Sequence, residues 1–184
     1  AGRTLEVARA SIWILSEDRE SLRQVDLFVR DGARHECGEV LEARRFPSYF
    51  HALRWNRTLR ATDAAADPRT REYAAEYLPR HGIVSMLDAG IWQEGEAKGV
   101  VCLESVGERC EWTADEQQFA ASLADIAATV LVHESLRSAR TRLQETQELF
   151  AGAIRSSPDP IAVVRLGDSS ILLVNDKFLA VSGF

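Results

Sequence analysis

Three cysteines, Cys37, Cys102 and Cys110, are the side chains of this sequence best able to act as nucleophiles or metal ligands. They form no Cys-x-x-Cys pair, and their odd number does not suit a disulfide framework, so we expect reduced thiols in a cytoplasmic protein. His35 and Cys37 together would supply at most two ligands, whereas a closed zinc site needs four. The sequence therefore predicts no metal site.

His133 and Glu134 form a second pair of interest, because the phosphoacceptor helix of a histidine kinase carries His-Glu followed closely by Arg and Pro. Here Arg137 comes later and no proline follows closely. We therefore expect His133 to be a helical surface residue whose neighbours form ion pairs at i,i+3 spacing.

The composition of the 184 residues is 46% hydrophobic and 27% charged, which is typical of a soluble globular protein. The formal net charge of −6 argues against nucleic-acid binding. We expect neither a membrane-spanning segment nor a signal peptide.

The sequence predicts one long helix over 113–150, around which the other elements of the chain are organised. Thr113 and Glu116 have the spacing of a capping box, which marks its start. Apolar residues then recur at helical spacing, and we expect this stripe to pack on a domain core: Phe119, Leu123, Ile126 and Val130.

Past residue 131 the apolar face of this helix changes phase, and no glycine or proline interrupts it up to Phe150. Spacings of four and three residues define a second seam, here called the helix seam: Val132, Leu136, Ala139, Leu143, Thr146 and Phe150. Such a pattern is typical of helix pairing, and we expect a homodimer through a coiled coil.

Before this helix, alternating apolar residues predict strands with hairpin turns between them, and an aromatic segment over 46–55 has helical spacing. Asp67 and Pro68 predict the start of a further helix. Its predicted apolar face is Tyr73, Tyr77 and Leu78, and Pro79 and Gly82 are predicted to stop it. After the long helix, 156–160 is a linker, and Asn175 is predicted to cap a final helix. The predicted strands are 7–15, 22–30, 83–92, 98–105, 161–164 and 171–174.

Several segments together resemble a bacterial GAF domain over about 1–135, in this order: 61–64 (ATDA), 67–70 (DPRT), 82–89 (GIVSMLDA), 99–104 (GVVCLE) and 112–120 (WTADEQQFA). Three later segments resemble the start of a PAS domain: 156–161 (SSPDPI), 174–178 (VNDKF) and 182–184 (SGF). The resemblance divides the chain into a GAF domain at 1–135, a signalling helix at 136–155 and an incomplete PAS domain at 156–184.

The GAF resemblance implies an α+β fold, with a six-stranded antiparallel sheet flanked by helices. It also implies a small-molecule pocket between the sheet and the helices of the middle segment, and dimers formed by the terminal helices. GAF followed by PAS is the usual front of a signalling protein, with a diguanylate cyclase, phosphodiesterase or histidine kinase as the output domain downstream.

The pocket that the family implies would be lined by aromatic side chains and a few polar ones, which suits a small ligand. The alternative is that the aromatic rings fill the space between the sheet and the helices and leave no pocket for a ligand. The candidate residues are Phe46, Tyr49, Phe50, Leu53, Trp55, Met86, Asp88 and Cys102.

Two known GAF ligands are disfavoured by the motifs. Cyclic-GMP binding needs an Asn-Lys pair, which does not precede Asp115 and Glu116, and bilin attachment uses a Cys-His dipeptide, which is absent from the sequence. We predict no particular cofactor.

The expected function is a sensory or regulatory module, which binds a small molecule or dimerises and relays the change through the long helix to PAS and output domains. One alternative is a thiol enzyme like the GAF-type reductases of free methionine sulfoxide, using Cys102 and Cys110. A purely structural dimerisation module is the other alternative. We expect no enzymatic activity in the chain itself.

Overall fold

The computed structural model describes residues 7–183. Residues 1–6 of the predicted GAF segment and Phe184, the last residue of the predicted PAS motif, lie outside the described residues. The chain divides into two compact units, Ala1–Leu131 and Val132–Phe184. Each unit is described by itself.

The first unit has the predicted α+β fold, built on an antiparallel sheet with the strand order β3-β2-β1-β7-β6-β5, in which β4 also pairs with β2. The 7–15 and 22–30 segments form the predicted hairpin, and the 83–92 and 98–105 segments form another. The strands are β1 Arg9–Leu15, β2 Ser21–Val29, β3 Arg34–Glu36, β4 Val40–Glu42, β5 Thr58–Ala61, β6 Ile83–Gln93 and β7 Glu96–Val106.

Two short helices, α1 (Pro47–Leu53) and α2 (Tyr77–His81), connect the strands of the first unit. The helix predicted to start at Asp67 is wrong in its bounds, because a 3-10 turn at Arg71–Ala75 comes first. Pro79 does not stop α2 as predicted; it lies in the first turn, where no backbone N–H is needed. The helix ends at Gly82, whose φ of +67° gives the left-handed conformation that favours glycine.

Each face of the sheet carries a cluster of buried residues, and the two clusters differ in the kinds of residue they contain. The face under α1 and α2 is here called the tyrosine face, after Tyr49, Tyr73 and Tyr77. The opposite face, here called the alanine face, packs on the long helix α3 (Ala114–Ser156) through Ala120 and Ala124.

Helix α3 begins with the predicted capping box. The backbone N–H of Thr113 donates to the Glu116 carboxylate at 2.7 Å, and the N–H of Glu116 donates to the Thr113 hydroxyl at 3.3 Å. The helix is unbroken over 43 residues and ends at Ser156, six residues beyond the predicted end.

The predicted core stripe of α3 is wrong in part. Ala120 and Ala124 are buried against the sheet, and the residues packed partly buried beside them are Leu123, Ala127, Ala128 and Leu131. Ile126 and Val130 are instead 62% and 55% exposed. The helix turns its alanines to the sheet because small side chains let its backbone approach the strands closely, and the larger apolar residues remain at the side.

One 18-residue window of α3 has the length and composition of a membrane-spanning segment, with a mean hydropathy of 1.3, whereas we expected none from the sequence. The same helix packs against the sheet of the first unit through its alanines. Part of its apolar surface therefore has a partner within the domain.

The second unit contains the end of α3, the antiparallel pair β8 (Ala162–Val164) and β9 (Ile171–Val174), and the helix α4 (Asp176–Ser182). These match the predicted strands and the predicted cap at Asn175. The helix-seam residues are exposed along α3. Ile154 and Asn175 are the only buried residues among 132–183, so this unit has almost no apolar core.

Candidate functional site

Seven of the eight candidate pocket residues lie together on the tyrosine face, where α1 and the 3-10 turn cover β6 and β7. The exception is Trp55, which is 76% exposed and takes no part in the cluster. The residues brought together are Phe46, Tyr49, Phe50, Leu53, Met86, Asp88 and Cys102.

Asp88 is the most unusual of these residues, because it is only 1% exposed. The Tyr49 hydroxyl donates to Oδ2 of Asp88 at 2.6 Å, and the same hydroxyl lies 3.8 Å from Sγ of Cys102. Burial raises the pKa of Asp88 to about 7, although the hydrogen bonds from Tyr49 and Cys102 act in the opposite direction. The carboxyl group therefore changes charge near neutral pH.

Two buried polar atoms of this cluster find no hydrogen-bond partner among the described residues: Oδ1 of Asp88 and the hydroxyl of Tyr73. Such atoms are uncommon, because a buried polar group without a partner costs about 1–3 kcal/mol. They give the cluster one acceptor and one hydroxyl that a small polar molecule could engage.

Tyr73 and Tyr77 belong to this site, although we assigned them from the sequence only to the apolar face of a helix. The ring of Tyr73 lies 4.4 Å from that of Phe46, 4.9 Å from that of Tyr49 and 5.2 Å from that of Tyr77, centroid to centroid. In the sequence, the i,i+4 spacing of the two tyrosines was the available sign that their side chains lie on the same face. In this conformation the rings pack directly against one another.

A buried ion pair, which the sequence analysis missed, lies on the same face. Nε of Arg9 donates to Oε2 of Glu104 at 2.7 Å, and the Tyr77 hydroxyl donates to Oε1 at 3.2 Å. Burial lowers the pKa of Arg9, but Glu104 and Tyr77 together raise it more, so the guanidinium stays charged. No sequence pattern distinguishes Arg9 and Glu104 from surface charges.

The cysteines do not form a reactive pair. Cys102 lies on the tyrosine face, where burial raises the pKa of its thiol, and Cys110 packs beside the alanine face. Cys37 is exposed. A thiol with a raised pKa carries little thiolate and is a poor nucleophile at neutral pH. Among residues 7–183, no group of three His, Cys, Asp or Glu residues could hold a metal ion.

An open groove of about 900 Å³ lies on the other side of the sheet, between α3 and strands β1 and β2. Its lining is mainly apolar and includes Ile12, Phe28, Ile126 and Val130. The two exposed residues of the predicted core stripe therefore border a groove of the first unit.

The model of the GAF domain family matches residues 1–131. A search of curated proteins found no match. Several solved structures are similar to this chain at less than 25% identity, a level of likeness that shows the fold alone.

The blue-light absorbing form of the PixJ GAF domain of Thermosynechococcus elongatus is 18% identical, with a TM-score of 0.63 over 80% of this chain and 86% of that one. The GAF domain of a two-component sensor histidine kinase from Bacillus halodurans is 20% identical, with a TM-score of 0.56 over 72% and 86%. A far-red absorbing protein with bound biliverdin is 16% identical, with a TM-score of 0.59 over 71% and 82%. The family model covers most of the chain, and the sheet and helices have the same fold as these domains, so the chain belongs to the GAF domain family.

Proposed function

We propose that this chain is the sensory or regulatory part of a bacterial signalling protein, in which a change at the tyrosine face is relayed through α3. The observation that carries the proposal is the single helix that starts against the sheet of the GAF unit and continues to Ser156 with an exposed apolar seam. Family membership supports it, because GAF domains are generally sensory.

Two contacts form the proposed route from the tyrosine face to α3. Arg57 follows α1, the helix that carries Tyr49, and its guanidinium donates to both carboxylate oxygens of Asp125 on α3, at 2.9 and 2.7 Å. Gln93, at the end of β6, donates to the backbone oxygen of Ala128 at 3.0 Å. A ligand at Asp88 would shift α1 or β6, and both are joined to α3 by these contacts.

The proposed ligand is a small polar molecule that engages the Asp88 carboxyl group. Binding requires the rings of Tyr49 and Tyr73 to move, since they now pack against each other. Titration of candidate metabolites into the purified protein should raise its melting temperature, and Asp88→Asn should abolish that increase. If no metabolite changes the melting temperature, the tyrosine face is a packed core and the chain acts as a dimerisation module.

We propose that the helix seam forms a homodimer. Leu136→Glu with Leu143→Glu should convert the dimer to a monomer, because four like charges would then face one another in the paired helices. Ser138→Glu with Thr141→Glu is the matched control, since these exposed residues lie on the other side of the helix. Sedimentation velocity measures both variants, and an unaltered dimer in the first would contradict the seam.

We assign 136–155 to a signalling helix and 156–184 to the start of a PAS domain, followed in the parent protein by an output domain of cyclic-di-GMP or two-component signalling. We place the protein in the cytoplasm. Neither a bilin nor cyclic GMP is expected as the ligand, because the required Cys-His and Asn-Lys pairs are absent.

We propose that this chain does not act as a methionine sulfoxide reductase. Reduction of a sulfoxide needs an attacking thiolate and a second thiol that resolves the product. Cys102 has a raised pKa, and it is separated from Cys110 by the sheet. The test is consumption of methionine sulfoxide with a thiol donor, and turnover that Cys102→Ser abolishes would contradict the proposal.

A further inference from the structure

The side-chain amide of Asn175 makes four hydrogen bonds within the second unit, and the residue is only 1% exposed. Its Nδ2 donates to the backbone oxygens of Ile154, at 3.1 Å, and Asp159, at 2.8 Å. Its Oδ1 accepts from the backbone N–H groups of Ile161, at 2.9 Å, and Phe178, at 3.0 Å. An asparagine side chain has two N–H donors and two acceptor lone pairs, so its capacity is fully used.

Only the bond to Phe178 belongs to the helix cap that the sequence predicts. The other three bonds reach backward along the chain, to the last turns of α3 and to the linker before β8. One side chain at the start of α4 thus contacts the end of α3 and the linker, through residues that lie 21, 16 and 14 positions earlier in the sequence.

Apolar packing adds little at this position. Of the described residues after 131, only Ile154 is buried besides Asn175, whereas Leu166, Ile171, Leu172 and Val181 are exposed. The path of the linker is therefore held mainly by hydrogen bonds, each contributing about 1 kcal/mol when both partners are satisfied.

The backbone oxygens in the last turn of α3 need hydrogen-bond donors from outside the helix. The last four backbone oxygens of a helix have no partner within it, and many helices solve this with a glycine in the left-handed conformation. Here the residue after Ser156 is Ser157 and not a glycine. The Ile154 oxygen accepts a long bond of 3.3 Å from the N–H of Ser157 and a second bond from Asn175.

We propose that Asn175 is a positioning residue that fixes the C-terminal end of α3 to the linker and the β8–β9 hairpin. A movement or rotation of the helix end then moves the hairpin with it, because the Ile154 and Asp159 oxygens share one amide group. This coupling is separate from any ligand at the tyrosine face and from the helix seam.

Asn175→Asp separates the new role from the capping role. The introduced aspartate retains both acceptor contacts, to Ile161 and Phe178, and a carboxylate favours a helix start. It has no donor for the Ile154 and Asp159 oxygens at neutral pH. Asn175→Ser is the second variant, because serine also caps helices but is too short to reach the Ile154 oxygen.

The measurement is hydrogen exchange of the whole chain, followed by mass spectrometry. In Asn175→Asp, the amides of 155–161 should exchange about tenfold faster, which corresponds to the loss of one to two hydrogen bonds. The amides of α4 should keep their protection. Lowering the pH below the pKa of the introduced carboxyl group restores one donor and should restore part of the protection of 155–161, compared with the wild type at the same pH.

Asp168→Asn is the matched control, since Asp168 accepts bonds from Ser170 within the β8–β9 turn, away from α3 and the linker in sequence. It should leave 155–161 unchanged. Equal exchange of 155–161 in the wild type and Asn175→Asp would overturn the proposal. Uniform loss of protection over 155–183 in both Asn175 variants would also overturn it, because Asn175 would then serve only the folding of the hairpin.

Discussion

The two faces of the GAF sheet each carry a buried cluster, but the two clusters are packed in different ways. On the tyrosine face, large rings surround a carboxyl group and an ion pair, so that Asp88, Arg9 and Glu104 need hydrogen bonds to remain buried. On the alanine face, Ala120 and Ala124 lie against apolar strand residues. One face therefore depends on polar partners and the other on close contact.

This difference indicates which face can change its state. Titration or ligand binding can alter the polar groups of the tyrosine face, where Oδ1 of Asp88 and the Tyr73 hydroxyl have no hydrogen-bond partner among the described residues. In the alanine-face cluster the corresponding buried atom is the indole nitrogen of Trp112, which does not change its charge with pH. Adjacent residues of β6, Asp88 and Ala89, face opposite sides, so a single strand takes part in both faces.

The largest expected effect comes from breaking the ion pair of the tyrosine face. Arg9→Met should lower the free energy of unfolding by about 3–5 kcal/mol, because Glu104 would remain buried without its counter-charge. The double variant Arg9→Met with Glu104→Met should lose less, since no charge is left unpaired. Urea unfolding at neutral pH measures both, and a single variant as stable as the wild type would show that Glu104 does not need Arg9.

The second effect is a pH dependence that comes from Asp88 on the tyrosine face. The pKa of Asp88 is raised in the folded state, from 3.8 to about 7, so the folded protein binds more protons than the unfolded chain between these values. Stability should therefore fall as the pH rises through this window, by up to about 4 kcal/mol, and then level off.

Asp88→Asn should remove this part of the pH dependence and should be more stable than the wild type at pH ~8, where the wild-type carboxylate is buried in its charged form. Tyr49→Phe removes a hydrogen bond that lowers the pKa of Asp88, so the window should extend to higher pH. Thermal unfolding at acidic, neutral and mildly alkaline pH measures all three proteins. Parallel profiles for the wild type and Asp88→Asn would contradict the assignment.

The smallest effect tests the close contact at the alanine face. Ala124→Leu should destabilise the protein by about 1–3 kcal/mol, because the added atoms would push α3 away from the sheet. Ser122→Leu adds a leucine at an exposed position of the same helix and should change stability little. Chemical unfolding compares the two, and equal effects would show that the helix does not approach the sheet closely here.

Local patterns predicted much of the fold. The hairpins, the capping box of Thr113 and Glu116, the uninterrupted long helix and the cap at Asn175 depend on residues close in sequence. The family resemblance assigned all eight candidate pocket residues to one region, and seven of them lie together on the tyrosine face. Bounds that depend on tertiary context were less accurate, as the 3-10 turn before α2 shows.

The sequence by itself determined the periodicities, because alternation and helical spacing are properties of the chain alone. Only the tertiary structure decided which apolar stripe of α3 meets the sheet, because the choice between Ala124 and Ile126 depends on how closely two elements approach. It also decided that Arg9 and Glu104 form a buried pair and that Asn175 reaches back to Ile154. These contacts join residues far apart in sequence, and their energies depend on burial, which no local pattern encodes.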